Sequence, residues 1–539
     1  MIDVRAATPA DVGGIRDIFR ACYGRDYPYA QFYDLDELTR LVYSDHQLLL
    51  VAEDTDSHRL LGTASVILEI GAMSDLLGEF GRLAVLPDAR QAGVGRLLMN
   101  ARLERVRDRL HVGVVEARLA IPYSLRIAES SGFAPVGVLP MKLQLQDRES
   151  FCLLVQHFGD ALSLRRNHPH VIPEAYALAQ LALSHCGLSC DAIVDEDAHA
   201  YPEGAAFAFR ELTTPGYATL LRIERGRVRR REIFGPRRLH DGLFRLQSER
   251  SHYLLAMDDD RIVGAVGWNQ NPYDQMVRVF ELIALDDSVP RWLLSGLERI
   301  CREGGKTTLI EIDVSAHAPR MQRTLLELGF LPAAYVPAMV FSDVERLDIV
   351  RMVRLFVAPE FDAPSLTPRA KAVADAVLRP FISQRILPEI ERVVSELPLF
   401  RGLEPEQVRR LAGACRVARF AAGDAIFAEG GEEPTLFIVL SGDADVRRSG
   451  HRVGVVRSGE CLGEMSLLTG QPHSASVVVA TDIHAATLSH EELQRLVRAR
   501  PDIGLVIFRN LAIGLGAKLG RASSNSAPAW NISSKNDPV

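Results

Sequence analysis

One stretch of the chain has the residue types and spacing of a phosphate-binding loop: Arg90, Gln91, Ala92, Gly93, Val94 and Gly95. Glycine has no Cβ, so Gly93 and Gly95 would let the backbone approach a ligand closely. A helix is predicted to begin near Val94, and the unpaired amides of its first turn would point at a pyrophosphate. The stretch is not a dinucleotide fingerprint, because Leu98 stands where the third glycine belongs. It is not a Walker loop either, because no Gly-Lys-Ser/Thr follows.

The elements predicted around this loop are those of a mixed α/β unit. They are a strand over 79–85, a helix over 94–106, a strand over 114–120 and a helix over 124–131 that ends at Gly132-Phe133. The order of these elements resembles that of the GNAT acetyltransferase family. It is a strand, the Arg-x-x-Gly-x-Gly loop, a helix, a second strand and a second helix that ends at Gly-Phe. The resemblance covers the first 145 residues. It implies a GNAT fold whose loop grips the pyrophosphate of acetyl-CoA as co-substrate.

The same resemblance implies direct transfer, in which an amine attacks the thioester carbonyl. Glu79 is the candidate that accepts the amine proton, and a solvated strand carboxylate is the alternative left open. The tyrosine that usually protonates the leaving thiolate is replaced by Ala128, so Tyr123 or Ser124 would have to serve. The residues implied to bind acetyl-CoA are Leu83, Ala84, Val85, Arg90, Gln91, Ala92, Gly93, Val94, Gly95 and Arg96.

A weaker copy of the first unit follows about 200 residues later, as an internal repeat. The runs 253–257 and 261–267 repeat a hairpin, and Gly329-Phe330 repeats the helix end at Gly132-Phe133. Residues 286–291 stand where the loop should recur, and they contain no glycine. The second copy is therefore predicted to be degenerate and unable to cradle a pyrophosphate.

A second motif lies near the C-terminus. It runs Gly459-Glu460-Cys461-Leu462-Gly463-Glu464-Met465-Ser466-Leu467-Leu468 and then Pro472-His473-Ser474-Ala475-Ser476-Val477. Short strands separated by turns precede it, which is typical of a jelly roll or barrel. The motif resembles the phosphate-binding cassette of cyclic nucleotide-binding domains. The resemblance implies cyclic AMP or cyclic GMP as an effector, held by Gly463, Glu464, Met465, Ser466, His473, Ser474 and Ala475.

His473 stands where that family has its phosphate-binding arginine. Arginine offers a permanent charge and a two-pronged donor, whereas histidine offers one donor and is mostly neutral near pH 7. The sequence therefore supports the barrel fold and leaves open whether this barrel binds a nucleotide or is purely structural.

Composition restricts the remaining possibilities. The net charge is 62 − 69 = −7, which does not call for a nucleic-acid or membrane partner. The seven cysteines are odd in number and scattered, which fits a reducing compartment. His185, Cys186 and Cys190 form only half of a metal site, so no metal is predicted. With no apolar signal region and no membrane-length apolar run, the prediction is a cytoplasmic protein.

The predicted architecture is multidomain: two GNAT-like α/β units, then a helical connector and a β-barrel with helices. The predicted ranges are a GNAT domain over 1–145, a helical connector over 146–205, a degenerate GNAT-like domain over 206–345, a helical linker over 346–394, a cyclic nucleotide-binding-like domain over 395–515 and a disordered tail over 516–539. The predicted function is N-acyl transfer to an amine of a protein or small molecule, regulated by the barrel. A non-catalytic sensor of CoA or a cyclic nucleotide is the alternative, and homo-oligomerisation is left open.

Overall fold

The computed structural model describes the chain except for residues 69, 146, 204–205, 228–230, 249, 272, 358–365, 394–397, 433, 470 and 525–539. It divides into two units, Met1–Leu378 (unit 1) and Arg379–Val539 (unit 2).

The strands of unit 1 are β1 (Ile2–Ala6), β2 (Gln47–Asp54), β3 (Arg59–Leu68), β4 (Leu77–Val85), β5 (Val112–Arg118), β6 (Ala134–Gln144), β7 (Arg148–His157), β8 (His170–Val171), β9 (Ile193–Val194), β10 (Ala208–Glu211), β11 (Ile233–Phe234), β12 (Ser251–Asp258), β13 (Arg261–Asn271), β14 (Met276–Ala284), β15 (Leu309–Ser315), β16 (Leu331–Ser342) and β17 (Glu345–Leu355). Its helices are α1 (Val12–Tyr23), α2 (Leu35–Val42), α3 (Val94–Val106), α4 (Tyr123–Ser130), α5 (Pro173–His185), α6 (Thr214–Arg227), α7 (Leu243–Ser248), α8 (Val289–Gly304) and α9 (Pro319–Glu327). Helix α10 (Pro368–Val393) contains the point at which the chain passes into unit 2.

One long sheet runs through unit 1, and its strand order repeats about a central junction. Outward from that junction the order is β6-β7-β5-β4-β3-β2 in the first half (residues 2–157) and β16-β17-β15-β14-β13-β12 in the second half (residues 208–355). The β4–β5 and β14–β15 pairs are parallel, and the other neighbouring pairs are antiparallel. The strand order of the first half therefore recurs in the second half.

The two halves meet where β6 pairs with β16, through Gly137 and Ala334. A Cβ built on Gly137 would lie 2.2 Å from the Cβ of Ala334, which is too close for two non-bonded carbon atoms. Glycine at this position therefore allows the two strands to come close enough to join their sheets.

Helix α3 places the predicted phosphate loop against the sheet. Val94, Leu98 and Ala101 follow the spacing of one helix face, and all three are buried in the same apolar cluster as α1 and strands β2 and β3. Because the first of these anchors is Val94 itself, the start of α3 is fixed to the core while the loop before it stays at the surface.

The predicted helical connector over 146–205 differs from the structure. Its first part is strand β7, which lies between β5 and β6 in the sheet. The side chains of residues 151–155 are buried on both faces of that strand. A strand buried on both faces has no polar alternation, so periodicity does not reveal it. Helix α5 is the helical part of this segment.

The predicted linker over 346–394 also differs, because β17 continues the sheet to Leu355. Residues 358–365 lie outside the described residues, and α10 is the helical part of the segment. The predicted tail over 516–539 begins inside α14, which ends at Ser524; residues 525–539 lie outside the described residues.

Unit 2 has the two-sheet architecture of a jelly roll. Its strands are β18 (Arg416–Phe420), β19 (Ala425–Phe427), β20 (Thr435–Ser441), β21 (Ala444–Arg448), β22 (His451–Val456), β23 (Cys461–Leu462), β24 (Ser476–Val479) and β25 (Ile483–Ser489), and its helices are α11 (Pro405–Ala414), α12 (Glu464–Thr469), α13 (His490–Ala499) and α14 (Pro501–Ser524). The sheets have the orders β18-β25-β20-β23 and β19-β24-β21-β22. In neither unit is a described helix both long and apolar enough to cross a membrane.

Candidate functional site

Strands β4 and β5 separate to form an open V. Only residues 77–79 of β4 pair with β5, at residues 112–114. The register of β4 against β3 then shifts, and Arg82 within the shifted stretch has φ +54°. A bulge of this kind bends a strand away from its neighbour. Beyond Glu79, the edge of β4 that faces β5 therefore makes no strand pairing with β5.

The predicted phosphate loop follows the end of β4 directly. A short 3-10 turn covers Pro87–Ala92, and Gly93 with φ +75° is the residue immediately before α3. Arg90, Gln91, Ala92 and Gly93 are exposed, as is Arg96. A Cβ built on Gly93 would meet no atom within 4 Å, so the space beside its backbone is open. The amides of the first turn of α3 face that same end of the helix.

Gly95 also has a packing role that was not predicted. Its Cβ position lies 2.9 Å from Cδ1 of Ile127, so the missing side chain makes room for α4. Among the predicted strand residues, Leu83 lines the V and Ala84 is buried. The Val85 carbonyl accepts a hydrogen bond from the Cys22 thiol at 3.2 Å.

A cavity of about 140 Å³ occupies the V, and we call it the acceptor cleft. Glu79 lies on its wall and accepts a hydrogen bond from Nη1 of Arg82 at 2.6 Å. Ser124 of α4 also lines it, whereas Tyr123 is 69% exposed and is not among the lining residues. The buried Ala128 leaves α4 without a tyrosine at the position that the resemblance implies.

Several residues of the acceptor cleft were not predicted from the sequence. They are Tyr23, Tyr27, Tyr29, Arg102, Glu116, Lys142 and Asp274. Burial raises the pKa of all three tyrosine hydroxyls, which keeps them neutral. The close spacing of the tyrosines was a visible signal. Asp274 comes from the second half, so no local pattern could place it in the cleft.

Arg102 is wholly buried beneath the cleft. Its Nη1 donates to the carbonyl oxygens of Ser65 at 3.0 Å and Gly81 at 3.1 Å, on the two strands that flank the bulge. Burial lowers the pKa of this guanidinium to about 9. Arg102 thus ties α3 to the bulged stretch and holds the V in shape.

The corresponding V of the second half is filled. Strands β14 and β15 pair over residues 276–279 and then separate in the same way. Strand β11 occupies the gap, pairing Ile233 with Val314 and Phe234 with Asp313 on β15. A Cβ on Gly235 would lie 2.3 Å from the Cβ of Phe280, so the fit is tight.

The cassette of unit 2 brings together the residues predicted for it. Gly463 has φ +77° and immediately precedes α12, whose first residue, Glu464, is buried. His473 is buried and stacks on Phe427, with ring centroids 3.9 Å apart and an interplanar angle of 13°. Ser466 is also buried. Met465 and Ser474 are exposed, and Ala475 is half-buried.

All seven cysteines are free. Within the part of the chain that the structure describes, no group of three or more His, Cys, Asp or Glu side chains is placed to hold a metal ion.

Comparison with known proteins agrees with this division of the chain. The family model of the GNAT acetyltransferases matches residues 13–132, and that of the cyclic nucleotide-binding domain matches residues 417–500. The cAMP-dependent protein kinase regulatory subunit of Aspergillus niger is 34% identical over 116 residues, which is 21% of this chain and 28% of that protein. The CRP-like cAMP-activated global transcriptional regulator of Mycobacterium tuberculosis is 24% identical over 143 residues, 26% of this chain and 62% of its own.

The solved structures with detectable similarity include the ribosomal-protein-S5-alanine acetyltransferase from Vibrio fischeri. It is 17% identical, covers 30% of this chain and 94% of its own, and has a TM-score of 0.27. The chain spans less than two thirds of the length of the two curated relatives. On the family matches, this chain carries a GNAT acetyltransferase domain followed by a C-terminal cyclic nucleotide-binding domain.

Proposed function

We propose that the chain is an acetyl-CoA-dependent N-acyltransferase that acts on an amine, in a protein lysine or a small molecule. The observation that carries this proposal is the open V of the first half, whose strand β4 leads directly into the exposed loop that ends at Gly93. The open space beside the Gly93 backbone fits a pyrophosphate, and a side chain there would fill it.

The residues of the V suit the chemistry of acyl transfer. Bound acetyl-CoA would supply the thioester that the amine attacks. The backbone of β4 beyond Glu79 has no β5 partner, so its amides near Leu83 and Val85 are available to the ligand. Glu79 lies on the cleft wall and would accept the proton of the attacking amine.

The leaving thiolate does not depend on a tyrosine of α4. Tyr123 points mostly to solvent, and Ser124 is the α4 side chain on the cleft wall. A thiol has an ordinary pKa of about 8.5, so its thiolate is a tolerable leaving group near neutral pH. We therefore expect transfer without a dedicated tyrosine acid.

We expect one molecule of acetyl-CoA to bind per chain. We propose that the second half is a degenerate copy, because β11 fills its V and residues 286–291 provide no glycine loop. Calorimetric titration of the full chain gives the stoichiometry, and radiolabelled acetyl-CoA with a panel of amines gives the transfer. Two sites per chain would contradict the degenerate copy. Binding without transfer to any amine or protein acceptor would favour the non-catalytic sensor instead.

We further propose that unit 2 binds cyclic AMP or cyclic GMP and that this binding regulates the transferase. Glu464 follows Gly463 directly, and Cε1 of His473 lies 3.6 Å from the Cβ position of Gly463. The family resemblance implies that Glu464 would bind the ribose and that His473 would bind the phosphate. Regulation requires coupling that is reciprocal at equilibrium, so acetyl-CoA must change the affinity for the nucleotide by the same factor.

The substitution His473→Arg is expected to raise the affinity for a cyclic nucleotide about ten-fold or more. A charged hydrogen bond is worth about 1.5–3 kcal/mol, and a planar guanidinium can keep the stacking position on Phe427. Calorimetry with cyclic AMP and cyclic GMP measures the change. His451→Arg adds the same charge at an exposed position of unit 2 and is expected to change nothing. If neither the wild type nor the His473→Arg variant bound cyclic AMP or cyclic GMP, the barrel would not recognise cyclic nucleotides.

A further inference from the structure

The acceptor cleft contains three carboxylates, and two of them have a cation of their own. Glu79 is paired with Arg82 at 2.6 Å. Glu116 accepts from the Nζ atom of Lys142 at 2.5 and 2.6 Å. The third carboxylate, Asp274, belongs to the second half of unit 1 and reaches the cleft from the turn between β13 and β14.

Asp274 is 2% exposed, yet its carboxylate is only half satisfied. Oδ2 accepts a hydrogen bond from Nδ2 of Asn271 at 2.7 Å. Oδ1 has no hydrogen-bond partner among the described residues. The guanidinium of Arg148 donates to the backbone oxygen of Asp274 at 3.4 Å instead of to the carboxylate.

Two cations and two acids face the Asp274 carboxylate. Lys142 and Arg148 attract its negative charge, Glu116 and Glu79 repel it, and Lys142 already donates a hydrogen bond to Glu116. Burial raises the pKa of the Asp274 carboxyl to about 6, so it is still mostly ionised at neutral pH. A buried, unpaired carboxylate oxygen is unfavourable unless a donor reaches it, and a positively charged donor satisfies it best.

The aromatic wall next to Asp274 suits the same kind of ligand group. The rings of Tyr27 and Tyr29 line the cleft, and the ring of Tyr273 lies 6.3 Å from that of Tyr29. Aromatic faces attract cations, and the guanidinium of Arg82 already lies over the Tyr29 ring at 5.5 Å. A ligand ammonium at Asp274 would therefore meet oxygen on one side and aromatic rings on another.

We propose that Asp274 is a specificity-determining residue that binds a second cationic group of the acceptor, remote from the amine that is acetylated. The inference rests on the proposed function, in which Glu79 takes the proton of the reacting amine. It assigns the acceptor to the class of diamines and other amines that carry an additional positive charge. The second half thus contributes to the chemistry of the first by supplying this carboxylate.

The test compares diaminobutane with aminobutanol, which has a neutral hydroxyl in place of the second ammonium. With the full-length wild type we expect kcat/KM to favour the diamine by about ten-fold or more, the size of effect expected for one charged hydrogen bond. In Asp274→Asn, which keeps the shape and the acceptor oxygen for Asn271, we expect this preference to fall to near unity. The acetyl-CoA affinity should stay unchanged. Asp258→Asn removes an exposed acid of the same half and should behave as wild type.

Direct binding separates the failure of this inference from that of the proposed function. Calorimetry measures both amines on wild type and Asp274→Asn in the presence of CoA, with no turnover required. Absence of acetyl transfer together with an Asp274-dependent preference for the diamine would overturn the proposed function alone. Equal binding of the two amines by wild type, or a diamine preference that survives in Asp274→Asn, would overturn the role of Asp274.

Discussion

Replacing Gly93 by valine is expected to weaken acetyl-CoA binding about one hundred-fold or more and to abolish acetyl transfer. Two physical effects act together. The Cβ and its two methyl groups would occupy the open space where the pyrophosphate must approach the backbone. In addition, φ +75° is a left-handed conformation that costs a β-branched residue about 1–3 kcal/mol. Isothermal titration with acetyl-CoA measures the affinity directly.

The chain offers a closely matched control for this substitution. Gly187 follows α5 with φ +76°, and a Cβ there also meets nothing within 4 Å. Gly187→Val therefore carries the same backbone strain in unit 1, away from the phosphate loop. We expect it to lose stability but to keep its acetyl-CoA affinity. If the Gly93 variant bound acetyl-CoA as tightly as this control, the loop could not be the pyrophosphate site.

The substitution Asp348→Ala is expected to lower the free energy of unfolding of unit 1 by about 3–5 kcal/mol. The Asp348 carboxylate is wholly buried and accepts from Nε and Nη2 of Arg165 at 2.9 and 2.6 Å. It also accepts from the Ala338 amide at 2.9 Å and from the Tyr335 hydroxyl. Alanine would leave the nearly buried Arg165 guanidinium with Asp191 as its remaining carboxylate partner.

Urea unfolding followed by tryptophan fluorescence measures this loss. Two of the three tryptophans, Trp268 and Trp292, lie in unit 1, so the signal reports mainly on that unit. Asp160→Ala removes an exposed carboxylate five positions before Arg165 in the sequence and should change the free energy by no more than about 0.5 kcal/mol. Equal midpoints for the two variants would show that Asp348 does not hold the segment after β7 to the sheet.

The parts of the site that the sequence predicted are those in which chemistry depends on neighbouring residues. The loop at Gly93 and the cassette at Gly463 are local patterns, and the structure places both glycines at positive φ. Gly95 shows the limit of such reasoning. The sequence alone does not show whether the space beside a glycine is open to a ligand or is occupied by another side chain, which at Gly95 is that of Ile127.

The parts that the sequence did not predict depend on contacts between distant segments. Strand β11 has two residues and no periodicity, yet it closes the second V by pairing with β15 about 80 positions later. Asp274 meets Glu116 and Lys142 across more than 100 positions. On α4, Tyr123 and Ser124 differ by about 100° in their direction around the helix axis. Helix boundaries expected from sequence are uncertain by one or two residues, so they could not decide which of the two side chains lines the cleft.

The junction of β6 with β16 has a consequence for how the chain is made. Gly137 finds its partner Ala334 only after a further 197 residues have been synthesised. At a translation rate of about 5–20 residues per second, the edge of β6 stays unpaired for roughly 10 to 40 seconds. An open edge is a template for pairing with other chains. We therefore expect the nascent first half to be prone to pairing with other chains through β6 until the second half has been made.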